Sequence, residues 1–189
     1  MASILFGYRS APCFYEPSDF TSEFKITAKG TLILRIFNKE LKKEFKHKVS
    51  LPEKVVSDLS KVLTKYQDRI NSFPAVIENT SIMDGIYQQF TLPGKKIETS
   101  NIGRIDAEML QLIKDNQSSW EYENALLQNE LMEIITEIYP ILKPYGMKVT
   151  DWGLFQCDWP PLEELACFAR DLLRDYIDAP GFPRIYQER

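Results

Sequence analysis

The amino-acid sequence predicts an α+β fold: an antiparallel sheet packed by an amphipathic helix, with a helical C-terminal half. Three observations predict it. Residues 22–51 hold three short runs of alternating apolar and polar side chains, the period of half-buried strands. Val55, Val56, Leu59, Val62, Leu63, Tyr66 and Ile70 then recur at helical spacing. Beyond residue 105 the longer apolar patterns are helical as well. A chain of 189 residues, 44% hydrophobic and 26% charged, can bury a sizeable core without disulfides or metal. Aromatic residues make up 12%, so large side chains are expected to dominate that core.

The elements follow in order. Residues 3–8 are expected to add a strand. SEFKITAKG (22–30) alternates Phe24, Ile26 and Ala28 with polar neighbours, and Lys29-Gly30 reads as a turn. TLILRIFN (31–38) carries apolar groups on both faces, which predicts a central strand. KEFKHKVSL (43–51) puts Phe45, His47 and Val49 opposite its lysines, and the three strands form a meander. Ser50 and Glu53 are spaced as a capping box, with Pro52 tolerated in the first turn, so a helix is expected to start there and end near Phe73-Pro74.

IMDGIYQQFTLPGKKIETSNI (82–102) reads as two strands, 86–92 and 96–102, joined at Pro93-Gly94. Pairing Leu92 with Lys95 sets Phe90 opposite Ile97, Gln88 opposite Thr99 and Ile86 opposite Asn101. Pro-Gly suits a type II turn, whose twist fits a two-residue hairpin poorly and points to a wider connection. Asp84-Gly85 and Ser100-Asn101 fall at one end of the pair, where turn chemistry explains the polar crowding.

Asp106 is placed to cap a short helix carrying Met109, Leu110 and Ile113. Ser118 and Glu121 form a second capping box, opening a helix with Ala125, Leu127, Leu131, Ile134, Ile135, Ile138 and Leu142. Pro140 is a kink position, and Pro144-Tyr145-Gly146 closes the helix. MKVTDWGLFQ (147–156) reads as a short strand or extended connection. A last helix carries Leu162, Leu165, Phe168, Ala169, Leu172, Leu173 and Tyr176, before an irregular tail. The expected organisation is one domain, 1–189, with the sheet and one helix in 1–104 and a mainly helical subregion in 105–189.

Charge is unevenly spread. Residues 1–75 carry 13 Lys and Arg against 8 Asp and Glu, and residues 76–189 carry 10 against 19. The steepest part is 106–164, with 12 acidic and 3 basic residues, a pattern that can steer a basic partner. No stretch approaches the roughly 20 apolar residues of a membrane span. The N-terminus lacks the pattern of a secretion signal, and a cytoplasmic protein is expected. Cys13, Cys157 and Cys167 are too dispersed for a disulfide framework or zinc site and are expected to be reduced and mostly buried.

Several chemistries find little support. His47 is the single histidine, so any imidazole base would have to be this one, on a lysine-rich strand where a structural role is the ordinary expectation. Glu130, Glu133 and Glu137 share a helical face, but the Glu-x-x-His of carboxylate-bridged metal bundles is missing. No phosphate-cradling glycine loop is present. No metal and no cofactor is expected. The basic stretch KELKKEFKHK (39–48) looks like lysine protection of an edge strand, and nucleic acid is not an expected partner.

The run Asn79, Ser81, Asp84, Gly85, then Gly94, Lys95, Lys96, Ile97, then Ser100 and Asn101 resembles that of small bacterial cytoplasmic proteins of the immunity-protein type, from contact-dependent toxin systems. The resemblance implies a non-enzymatic inhibitor of a basic toxin and no catalytic residues. The acidic helical surface would supply the contacts, with Glu121, Glu123, Glu130, Glu133 and Glu137 as candidate partner-binding residues. The competing expectation is an enzyme or small-ligand protein whose site lies where the 82–102 hairpin meets 151–159, using Asp84, Asn101, Asp151 and Trp152. Against it, Trp152 and Trp159 also suit a packing junction, with Asp158 capping the last helix.

Overall fold

The computed structural model describes residues 3–11, 21–38, 42–78, 87–100, 102–145, 147–149 and 155–157. Strands β1 (Ile4–Ala11), β2 (Thr21–Thr27), β3 (Thr31–Asn38) and β4 (Lys43–Ser50) come first. Helices α1 (Glu53–Lys65) and α2 (Gln67–Ser72) follow, then β5 (Val76–Ile77), β6 (Tyr87–Leu92) and β7 (Lys95–Ser100). The C-terminal half holds α3 (Ala107–Asn116), α4 (Ser119–Leu142), a 3-10 turn (Lys143–Tyr145), and β8 (Met147–Val149) paired with β9 (Phe155–Cys157). The protein is α+β. The seven-stranded sheet has the order β4-β3-β2-β1-β6-β7-β5 and is antiparallel except for β5 beside β7.

The register explains the core. Tyr8 pairs with Phe24 on one side and Phe90 on the other; Phe24 pairs with Leu34, and Phe90 with Ile97. Directly opposed residues share a face, so these side chains build one apolar surface across five strands. Phe6, Phe24, Ile26, Leu32, Leu34, Phe90 and Ile97 are all but inaccessible to solvent. The helices cover this face. Leu59, Leu63, Tyr66, Ile70 and Phe73 continue one buried stripe through α1 and α2. Leu131, Ile134, Ile135, Ile138 and Leu142 supply the stripe of α4, which packs against α1 and α3.

The turns close as their backbone requires. Gly30 (φ 78°) accepts from Leu51 N through its carbonyl, and Val56 packs so closely that a Cβ on Gly30 would lie 3.0 Å from its Cγ2. Gly94 (φ 75°) has the left-handed backbone that the third position of a type II turn needs. The hairpin nonetheless keeps a two-residue loop, with Leu92 opposite Lys95, so the wider connection is not used. Gln88↔Thr99 and Phe90↔Ile97 match the register read from the sequence. Ile86 and Asn101 lie outside the described residues.

Other departures have physical causes. Ser50 does not cap α1: it is the last residue of β4, opposite Thr31, and the following Leu51 N–H is held by Gly30. The helix therefore starts two residues later than a box on Ser50 needs, with Pro52 at the cap and Glu53 as its first residue. The expected single helix breaks at Tyr66 (φ −101°, ψ 9°), then ends before Pro74 as expected. The caps at Asp106 and Ser118 both form, and α4 runs through Pro140. Met109 is not core: Ile113 carries the buried side of α3, while Met109 and Leu112 are half exposed. The last helix and tail, and the environment of the three cysteines, lie outside the described residues.

Candidate functional site

Two polar surfaces compete for a functional role. The first is the sheet face opposite the core. Lys46, Arg35, Glu23, Arg9, Gln89 and Glu98 line up in register across six strands. Glu23 bonds Lys25 at 2.6 Å, and Arg35 holds Glu44 at 2.7 Å while stacking 4.1 Å over the buried Phe37 ring. Burial, with Glu98 beside it, pushes the Tyr87 hydroxyl above its usual range. Glu23 with Lys25, Arg35 with Glu44 and Gln89 with Glu98 pair within the face, while the buried Nε of Arg9 has no hydrogen-bond partner among the described residues. His47 sits half-buried on the core side of the edge strand β4, opposite Leu34.

The second surface is the α3–α4 hairpin. Ser118 opens α4 through a reciprocal box: its hydroxyl receives Glu121 N–H, and the Glu121 carboxylate receives Ser118 N–H. Asp106 caps α3 by accepting from Met109 N at 2.8 Å. The segment between β7 and α3 is clamped by amide side chains of α4. Asn129 pairs with both backbone groups of Ile105, each at 2.8 Å, and Gln128 donates to Gly103 O at 2.7 Å. Asn124 receives Glu78 N–H in the same manner. A further buried amide, Gln88, donates to Tyr8 Oη and accepts from Ile102 N. Sequence periodicity missed this row because it counts apolar positions, and these amides occupy core-facing sites. Their i, i+4 spacing at 124 and 128 was the available signal.

The acidic residues of α4 divide into groups. Glu137 accepts from Lys65 Nζ at 2.6 Å and from the Tyr66 hydroxyl at 2.5 Å. Glu133 accepts from Arg69 Nη1 at 2.6 Å. These contacts, Lys65 first and then Tyr66, hold the Glu137 carboxyl below its usual range. The same carboxylate pushes Lys65 and Tyr66 upward, burial adding to the rise at Tyr66. Glu133 raises Arg69. Glu130 reaches Arg69 Nε only at 3.9 Å, Glu121 serves the cap, and Glu123 is exposed. Two of the five candidate glutamates therefore anchor α4 to α1 and α2.

Around them lies a groove of about 730 Å3. Ile105, Ala107, Leu126 and Met132 give it apolar walls, and Arg104, Asp106, Glu130, Glu133 and Glu137 give it charge. Large apolar side chains are exposed nearby: Met109 and Leu112 on α3, Trp120 and Leu126 on α4. Among the described residues no group of His, Cys, Asp and Glu could hold a metal ion, and no helix is long and apolar enough to cross a membrane. Asp84, Asn101, Asp151 and Trp152, the alternative ligand residues, lie outside the described residues. No protein-family model matches the chain, and a search of curated proteins finds no significant match.

Proposed function

We propose that this chain is a non-enzymatic protein-binding protein that docks a basic partner on its α3–α4 hairpin. One observation carries the reading. Of the five exposed large apolar side chains among the described residues, four (Met109, Leu112, Trp120 and Leu126) fall on these two helices. They sit in the most acidic part of the chain, where residues 106–137 hold eight Asp and Glu against the single Lys114. Exposed aromatic and aliphatic side chains within an acidic stretch suit a protein interface, with Trp120 the natural hot spot. An acidic surface speeds association with a basic partner of opposite charge. In its most concrete form the reading is an immunity-like inhibitor that covers the working surface of a basic toxin.

Affinity capture from lysate of the source cells, with identification by mass spectrometry, tests this. The intact chain should retain a basic protein, and a Leu112→Ser/Trp120→Ala variant should release it. Co-expression with the captured protein should relieve any toxicity it has. A partner retained equally by both forms removes the hairpin from consideration.

A further inference from the structure

We infer that the groove beside α4 receives a basic side chain of the partner, carried on an amphipathic segment, with Glu130 as the group that reads its charge. The inference rests on the docking reading above and narrows it to one site. Most polar groups lining the groove are already committed. Glu137 is held by Lys65 and Tyr66, and Glu133 by Arg69. Asp106 caps α3, Asn129 is bonded through both ends of its amide to Ile105, and Thr136 donates back to Met132 O at 2.7 Å. Glu130 differs. Its contact with Arg69 Nε, at 3.9 Å, is at the outer limit of an ion pair, and its side chain stays 45% exposed.

The walls define the rest of the occupant. Leu126, exposed and one turn before Glu130 on α4, offers apolar contact beside that carboxylate, so the fitting segment presents an arginine or lysine next to an aliphatic side chain. Arginine is favoured, since its planar fork matches a carboxylate with two parallel bonds. The acidic excess of 106–137 selects a basic segment over an acidic one. Arg104 is the one cation of the lining and opposes it. Glu130 and Arg104 therefore act in opposite directions on the same ligand.

The probe is a 16-residue acetylated helical peptide with a leucine stripe flanked by arginines, titrated into the full chain by calorimetry. A copy with glutamate in place of arginine is the control. Glu130→Gln should weaken the arginine peptide about tenfold, the scale of one hydrogen bond to a charged group. Leu126→Ser, which removes the apolar contact without adding charge, should also weaken it, Arg104→Ala should tighten it, and Glu53→Gln on the remote α1 should leave it unchanged. Thermal melts confirm that each variant is folded. If Trp120→Ala weakens the peptide but Glu130→Gln and Leu126→Ser do not, the groove inference fails and docking on the hairpin survives. Equal binding of the glutamate peptide overturns the inference together with the basic-partner reading. Absence of any binding overturns the inference, and the capture experiment then decides the docking reading by itself.

Discussion

The Tyr66 hydroxyl donates to the Glu137 carboxylate at 2.5 Å, from the residue where α1 gives way to α2. Lys65 adds a second bond to the same oxygen, and Arg69, one turn on, holds Glu133. Residues more than 60 positions apart in the chain thus tie α4 to α1 and α2 by their polar rims, above their buried apolar stripes. Removing only the hydroxyl, in Tyr66→Phe, leaves the buried ring in place. It should cost about 1 kcal/mol, the net worth of one such hydrogen bond, read as a lower midpoint in urea with an unchanged slope.

The same cluster sets a pH dependence at both ends. Glu137 has a folded pKa below its ordinary value, so its contribution is present above the usual carboxylate range and is lost as pH falls through the depressed value. Lys65 and Tyr66 are raised, so theirs is present below the ordinary lysine and tyrosine values and is lost as pH rises through the raised ones. Melting temperature measured from pH 3 to pH 11 should fall at both limits. A Glu137→Gln variant should show a shallower fall at the acid end.

The two left-handed glycines should respond unequally to alanine. At Gly94 nothing lies within 4 Å of an added Cβ, so the penalty is conformational, about 1 kcal/mol. At Gly30 the same penalty is joined by a contact with Val56 Cγ2 at 3.0 Å. Gly30→Ala should therefore be the more destabilising of the pair in parallel denaturant titrations.

Asn129→Ala should act locally before it acts globally. It removes the acceptor for Ile105 N–H and the donor to Ile105 O in one step. A cost of about 2 kcal/mol is expected for two such bonds at a half-buried site. Amide hydrogen exchange at Ile105 should accelerate far more than exchange at Ile134 or Ile135, deep in α4.

Core truncation provides the scale for these effects. Leu131 is fully buried, and Leu131→Ala should cost about 3 kcal/mol. Leu112→Ala, at a half-exposed position, should stay within about 0.5 kcal/mol of the parent. A large loss at Leu112 would mean that the side chain is needed for folding, contrary to its assignment to an interface.

Local chemistry was legible in the sequence where no distant group competed for the same backbone. The Asp106 cap and the Ser118–Glu121 box each lie within one helical turn, and both form. The β6–β7 register follows from one hairpin and was read correctly at Phe90↔Ile97. Ser50–Glu53 has the same spacing as Ser118–Glu121 yet forms no box, because Gly30 captures the next amide from a strand turn 21 residues away. The spacing of Glu130, Glu133 and Glu137 was equally visible. Their cations Lys65 and Arg69 belong to another helix, so the division of that stripe into anchoring and open carboxylates was not. The alternative ligand site, around Asp84, Asn101, Asp151 and Trp152, falls outside the described residues.

The claim that α3–α4 is a docking surface is tested most directly by a footprint. The captured partner would be added to isotope-labelled chain, and amide exchange and side-chain signals followed residue by residue. The account predicts protection and shifts at Met109, Leu112, Trp120 and Leu126, with Glu130 among the perturbed carboxylates. A footprint confined to the β4 edge or to the row from Lys46 to Glu98, with the four apolar side chains unmoved, would contradict it.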